Sequence, residues 1–308
     1  MIQDIAPKKL HNEYIQKRPC SNDYIAVFHK NQILIKEIEG SMELPEIADL
    51  PYIFHQYREE VCQYLFCIDE KNYFLYSIDE DLPFMDMDIK FQFYKIRDIR
   101  YQAKQELCFA VYTAWHLYQW YSSNRFCGRC GCRTKPDTKE RMLYCENCGS
   151  QIYPRISPAV IVAVTNGNKI LLTKYAGREY KQYALIAGFS EIGETAEETV
   201  SREVMEETGL RVKNIRYYKS QPWGIDGNLL FGYFAQLDGS DSISLDRNEL
   251  SVAEWAEREE LEGMDDSFSL TREMMRVFFE SAGADADKMW QTEIKTEGIK
   301  YGKSGNDF

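Results

Sequence analysis

The stretch that decides the fold reads Gly188-Phe-Ser-Glu-Ile-Gly-Glu194-Thr-Ala-Glu-Glu-Thr-Val-Ser-Arg202-Glu203-Val-Met-Glu206-Glu207-Thr-Gly209-Leu210. Thr195 followed three positions later by Glu198 forms a capping box, and Gly209 is free to take the left-handed conformation that ends a helix, so the spacing predicts a helix over Thr195 to Thr208. On that helix Glu203, Glu206 and Glu207 stand at i, i+3 and i+4 and share one face. Like charges so placed repel by tenths of a kcal/mol per pair at an exposed surface, and by more when partly buried, unless a cation sits among them.

Carboxylate oxygens suit a hard divalent ion, magnesium or manganese, which also binds phosphate oxygens and acidifies a bound water. The reaction class that follows is metal-assisted hydrolysis of a phosphoanhydride. A plain solvated acidic helix is the usual explanation of a charge run. Here, however, the run sits inside the spacing G-x5-E-x7-R-E-U-x-E-E-x-G-U, with U aliphatic, met at Gly188, Glu194, Arg202, Glu203, Val204, Glu206, Glu207, Gly209 and Leu210. The segment therefore resembles the Nudix hydrolase family. The resemblance implies an α/β/α sandwich in which the box forms loop, helix and loop. It assigns Glu203 and Glu207 as metal ligands, Glu206 as a further ligand or a base acting through water, and Glu194 and Arg202 as orienting partners. It also implies a backbone carbonyl ligand from Ala187.

Working outward toward the amino terminus, Cys127-Gly-Arg-Cys130 and Cys145-Glu-Asn-Cys148 are two C-x2-C pairs, the spacing at which two tight turns offer four thiolates to one tetrahedral zinc. Gly131 and Gly149 follow the second cysteine of each pair, where positive φ lets backbone amides turn toward the sulfurs. Four thiolates leave no open position for water, so the zinc is expected to be structural, one per chain. Cys132 is a spare thiol nearby.

A zinc ribbon ahead of the box and Ser220-Gln221-Pro222-Trp223 after it resemble the NADH pyrophosphatase branch of the same family, over about Phe126 to Leu261. That branch implies cleavage of NAD(H) to AMP and NMN(H), removal of NAD caps from RNA in some relatives, and a homodimer. By matching position it implies substrate contacts from Glu140, Tyr153, Phe189, Thr271 and the loop Gln221, Pro222, Trp223, Gly224, Ile225, Asp226, Gly227 and Asn228, and a further metal ligand in Glu249. The branch usually continues Ser-Gln-Pro-Trp with Pro-Phe-Pro-x-Ser. Here Gly224 and Asp226 replace the two prolines, which predicts a looser loop and an altered nicotinamide end. Two other readings stay open: a Nudix hydrolase of ADP-ribose or dinucleoside polyphosphates, and a non-catalytic regulator that binds nucleotide or RNA.

The whole chain sets the frame. Its 308 residues suit two domains and a small module, and a net charge of -12 disfavours holding nucleic acid by phosphate neutralisation alone. No apolar run approaches a membrane span and no signal-type leader opens the chain, so a cytoplasmic protein without membrane association is expected. The division expected is residues 1–122 for a β-rich, diverged Nudix-like domain with a linker helix over Ile99 to Ser122, 123–153 for the ribbon, 154–282 for the catalytic domain and 283–308 for a polar, frayed tail. The catalytic domain is expected to start with strands Pro158 to Thr165 and Lys169 to Thr173 around the turn Asn166-Gly167-Asn168 and to close with a helix over Thr271 to Ser281. Further strands are expected at Tyr217-Tyr218, Leu229 to Leu237 and Val252 to Trp255, and no internal repeat is visible.

Overall fold

Alternation along one strand organises the second half of the protein. In the computed structural model, strand β11 (Ser157–Asn166) sends Ile161 and Ala163 to one face of a sheet and Val160, Val162 and Val164 to the other. Both faces are apolar, so both must be covered. The structure describes residues 1–50, 62–76, 90–177, 182–261 and 268–281; the predicted tail lies outside them.

Along the chain the first domain contributes β1 (Leu10–His11), β2 (Tyr24–His29), β3 (Gln32–Ile38), β4 (Ser41–Glu43), β5 (Cys62–Ile68), β6 (Lys71–Tyr76), β7 (Phe91–Lys95) and the helix α1 (Gln105–Ser123). The expected linker helix is thus preceded by a separate 3-10 turn at Ile99–Tyr101. The ribbon holds three two-residue strands, β8 (Lys135–Pro136), β9 (Leu143–Tyr144) and β10 (Gln151–Ile152). The second domain runs β11, β12 (Lys169–Tyr175), β13 (Ile186–Phe189), α2 (Ala196–Thr208), β14 (Val212–Trp223), β15 (Asn228–Leu237), β16 (Leu250–Glu257) and α3 (Leu270–Glu280).

The second sheet is ordered β14-β15-β11-β12-β16, with β13 beside β11. β11 and β15 are parallel while the other pairings are antiparallel. Helix α2 covers one face through Val200 and Val204, and α3 covers the other through Leu270, Met274, Met275 and Phe278. Each such side chain, fully buried, contributes roughly 1.5–3 kcal/mol. The α/β/α sandwich follows. The opening of the box departs from the expected loop: Gly188 and Phe189 lie on β13, paired with Val160 and Ala159, because β12 pairs with β11 only at Thr165 and Asn166 and leaves that edge free.

In the first domain, α1 packs Cys108, Ala110, Val111, Ala114 and Trp115 against Ala26, Phe28, Ile33 and Ile35. The opposite sheet face gathers Ile25, Val27, Leu34, Tyr64 and Phe74. Ile225 of the second domain is buried in the first domain's core beside α1. Among the described residues, no helix is long and apolar enough to cross a membrane.

Candidate active site

Helix α2 is framed as its sequence predicts. Thr195 Oγ1 accepts the N–H of Glu198, Glu198 Oε2 accepts the N–H of Thr195, and Gly209 closes the helix at φ +69°. A buried flank of Val200 and Val204 fixes its rotation against the sheet, so Glu203 and Glu207 are forced inward to 8% and 2% exposure. Glu206, one step around the helix, keeps a side chain 60% exposed.

Arg202 ties the carboxylates together. Its Nε donates to Glu194 Oε1 at 2.6 Å and its Nη2 to Glu194 Oε2 at 2.9 Å, a bidentate clamp. Its Nη1 donates to Glu203 Oε1 at 2.7 Å and Glu206 Oε2 at 2.9 Å, while Nη2 also reaches the carbonyl of Phe189 at 2.9 Å. The clamp holds the Glu194 carboxyl at about 2, Arg202 being the main cause, helped by the N–H of Glu191. Glu203 moves the other way: burial pushes it up, Arg202 pulls it back, and the charges of Glu206 and Glu249 push it up again. A cation beside Glu203 relieves that push.

Gly188 shows why the box opens on glycine. A Cβ there would lie 1.9 Å from Glu203 Cδ and 2.1 and 2.2 Å from its two oxygens, so the bare strand is the cradle of this carboxylate. Glu249 arrives from the loop before β16, which is fastened to the end of α2 by Ser244 N–H to Thr208 O at 2.8 Å and Asp246 N–H to Glu207 O at 3.0 Å. Ala187 precedes the cradle on β13, in register with Ile161. Among the described residues the four cysteines form the one group of metal-ligating side chains whose ligand atoms converge on a point; the carboxylates here, with Arg202 holding Glu203 and Glu206, are hard oxygen donors of the class a magnesium-type ion takes.

Beside this lies a cleft of about 600 Å³ whose walls include Tyr153, Phe189, Asp226, Gly227 and Asn228, the residues expected to contact substrate that the structure brings together. Tyr153 and Phe189 expose 52% and 54% of their surface, as rings available to stack on a base do. Glu140 stands behind Tyr153 and accepts its hydroxyl at 2.8 Å, which raises the phenol. The cleft's other wall is α1, through His116, Gln119, Trp120 and Ser123, with Arg155 and Ser157 at the ribbon exit. Sequence reasoning missed these residues. The available signal was the i, i+3, i+4, i+7 spacing of His116, Gln119, Trp120 and Ser123 along one helix face.

Gln221 to Ile225 lie elsewhere. Gln221 is fully buried, accepting Leu270 N–H at 2.8 Å and donating to Phe268 O at 3.1 Å. The Trp223 ring meets Tyr112 and Phe268 edge-on, and Trp115 Nε1 donates to Ile225 O at 3.2 Å. Pro222 is exposed, and Thr271 sits in the first turn of α3. The loop expected to be loose is fastened instead. Ile225 is buried, Asp226 pairs with Arg97 at 2.6 Å, and a Cβ on Gly224 would strike Tyr112 O at 2.2 Å, so glycine there permits close packing rather than slack.

The ribbon's four sulfurs lie within 4.8 Å of one another, with Cys127 to Cys148 at 3.6 Å and Cys130 to Cys145 at 3.4 Å. Zinc–sulfur bonds of roughly 2.3 Å in a tetrahedron set sulfur separations of about 3.8 Å, so the thiols are placed for the ion. The two knuckles repeat one design: Gly131 N–H to Cys127 O and Gly149 N–H to Cys145 O, both 2.8 Å, at φ +72° and +69°. The Cys130 thiol is drawn down to about 6, first by the backbone N–H of Cys132. Cys132 stands outside the four-sulfur group.

Comparison with known proteins agrees with this layout. Residues 155–278 match the model of the NUDIX domain, 122–153 that of the NADH pyrophosphatase zinc ribbon domain, and 22–120 that of the NADH pyrophosphatase-like rudimentary NUDIX domain. The NAD-capped RNA hydrolase NudC of Enterobacter sp. (strain 638) is 41% identical over 145 residues, 47% of this chain and 56% of that protein. The protein of the same name from Salmonella schwarzengrund (strain CVM19633) is 40% identical over the same shares. The match thus spans little more than half the length of these curated relatives. A NUDIX hydrolase of Nitrosomonas europaea superposes with a TM-score of 0.45 at 24% identity, over 51% of this chain and 92% of that one. With an intact box on α2, a four-cysteine ribbon before it and a Nudix-like domain before that, the chain belongs to the Nudix hydrolase family, in its NADH pyrophosphatase branch.

Proposed function

We propose that this chain hydrolyses the pyrophosphate bond of NAD(H) to AMP and NMN(H), accepts NAD-capped RNA ends through the same site, and works as a homodimer. The observation that carries the reading is a single link between the two halves of the site. Phe189 presents its ring to the aromatic cleft, and its carbonyl takes the hydrogen bond of Arg202, which in turn holds Glu194, Glu203 and Glu206. A base laid on Phe189 therefore leaves the attached phosphates on the carboxylate side. The NudC names of the relatives support the same substrate class. Nine free cysteines, four of them grouped for zinc, support a reducing compartment such as the cytoplasm.

Glu203, Glu207 and Glu249, with the Ala187 carbonyl, would hold magnesium or manganese, which when bound neutralises phosphate charge and acidifies water. The chain's own groups do the rest. Arg202 fixes the Glu203 carboxylate while Gly188 leaves it room. Glu206, with its side chain 60% exposed, is free to take a proton through water. Tyr153, braced by Glu140, and Phe189 hold a flat ring, Asp226 to Asn228 close one side of the cleft, and Gln221 to Ile225, fastened to Leu270 at the start of α3, support that loop from behind.

The test is Glu207→Gln, which removes one metal-binding charge without changing side-chain size. NADH cleavage with magnesium or manganese is expected to fall at least about a hundredfold, with one zinc per chain and the unfolding transition retained. Full activity in that variant, or faster turnover of ADP-ribose than of NADH by the parent protein, overturns the reading.

A further inference from the structure

Two residues that line the cleft each carry a buried polar atom without a hydrogen-bond partner among the described residues: Trp120 with Nε1 and Asn228 with Oδ1. They come from different domains, Trp120 from α1 and Asn228 from the first position of β15. Trp120 is 5% exposed. Buried groups of this kind are almost always paired, and leaving one unmade is costly, so the exceptions call for a ligand or an ordered water. Their chemistry is one-directional: an indole N–H only donates, and an amide oxygen only accepts.

We infer that Trp120 and Asn228 form a donor–acceptor pair that reads the edge of a flat ring bearing an acceptor beside an amino group. A phosphate offers no donor to Asn228, and the exposed rings of Tyr153 and Phe189 in the same cleft ask for a planar partner. The inference rests on the proposed dinucleotide substrate, both ends of which carry such an edge: the carboxamide of nicotinamide, and the ring nitrogen and amine of adenine. It makes Trp120 a specificity-determining residue supplied by the first domain. Binding would satisfy the two atoms, whereas a ligand without the amino group leaves Asn228 Oδ1 unpaired and is rejected.

The experiment compares the full-length protein with Trp120→Phe, which keeps a ring and removes the N–H, and Asn228→Leu, which keeps the size and removes the acceptor. Equilibrium binding and steady-state cleavage are measured for NAD, for its nicotinic acid analogue and for its hypoxanthine analogue. Trp120→Phe is expected to weaken NAD binding and raise KM by about tenfold with a smaller change in kcat, as lost ground-state binding does. Asn228→Leu is expected to erase a preference of about tenfold that the parent protein shows for NAD over one analogue. Loss of preference against the nicotinic acid analogue assigns the carboxamide end; loss against the hypoxanthine analogue assigns the adenine end. Should Trp120→Phe fail to fold by circular dichroism and zinc content, the Asn228→Leu arm decides. Unchanged affinity and preference in the folded variants means that water meets both atoms, and the inference falls. A parent protein that binds NAD but cleaves none of the three sinks the proposed function while the binding arms still judge this pair.

Discussion

The first domain and the catalytic domain are two versions of one sheet. The first is ordered β5-β6-β2-β3 with β7 on the far side of β3; the second is ordered β14-β15-β11-β12-β16. Each contains one parallel pair, β2 with β6 and β11 with β15, set among antiparallel neighbours. Each has a hairpin with a two-residue turn whose first residue takes positive φ, Lys30 at +53° and Gly167 at +58°. In each, a helix follows the last strand of this order, α1 after β7 and α3 after β16. Between β12 and β14 the catalytic copy carries β13 and the acidic helix α2, where the described residues of the first copy, between β3 and β5, hold β4 and a 3-10 turn at Ile47–Asp49. Among the described residues the first copy has no counterpart of that helix. Its terminal helix does something else: the polar face of α1 walls the cleft. A second copy of the sheet can thus help to wall the candidate site of its neighbour.

The comparison breaks first at Gly188, where the catalytic copy makes room for Glu203. Gly188→Ala is expected to displace that carboxylate and reduce NADH cleavage by roughly a hundredfold, since misplacement by about 1 Å has that effect, while thermal unfolding and zinc content stay close to the parent's. Parent-like turnover would show that the cradle does not matter.

A smaller effect is expected at the seam between the copies. The Cβ of Gly224→Ala meets the backbone oxygen of Tyr112, which cannot swing aside, so stability should fall by about 1–3 kcal/mol in denaturant titration. Activity should fall with it, because the same loop carries Asp226 to Asn228 into the cleft. Removing the Arg97 to Asp226 pair, 66% and 40% exposed, should matter far less, as exposed ion pairs contribute about 0–1 kcal/mol. An Arg97→Ala variant as damaged as Gly224→Ala would relocate the seam.

The smallest effect concerns pH. Glu194 is held at about 2, below its ordinary value near 4.5, so its contribution to stability is complete above the ordinary value and is lost as pH falls toward 2. Glu194→Gln should therefore flatten the stability curve between roughly pH 4.5 and 2 and leave the curve's shape above pH 5 unchanged. An unaltered acid limb would show that the clamp on Arg202 carries no stability.

Legibility followed locality. The acidic helix, its two caps, the paired knuckles and the Asn166 to Lys169 hairpin all rest on interactions within a few residues, and the structure reproduces them. The repeat of the sheet was expected only through the family resemblance and left no repeat visible in the residues, because a sheet face asks only for apolar alternation, which many side chains satisfy, so the topology persists while residue identity drifts. Gly224 misled for a related reason. In sequence a glycine replacing proline reads as slack, yet its role here is set by a carbonyl on a helix more than a hundred positions earlier in the chain.

Taken by itself, the sequence determined that Thr195 to Thr208 would be a capped helix with three carboxylates on one face and that four cysteines would meet, because spacing alone dictates both. Only the tertiary structure decided that Glu203 and Glu207 are buried while Glu206 is exposed, that Gly188 is the room for Glu203, and that Trp120 stands in the cleft. Burial and close approach depend on which faces the two sheets turn toward their helices, and that depends on contacts between residues far apart in the chain.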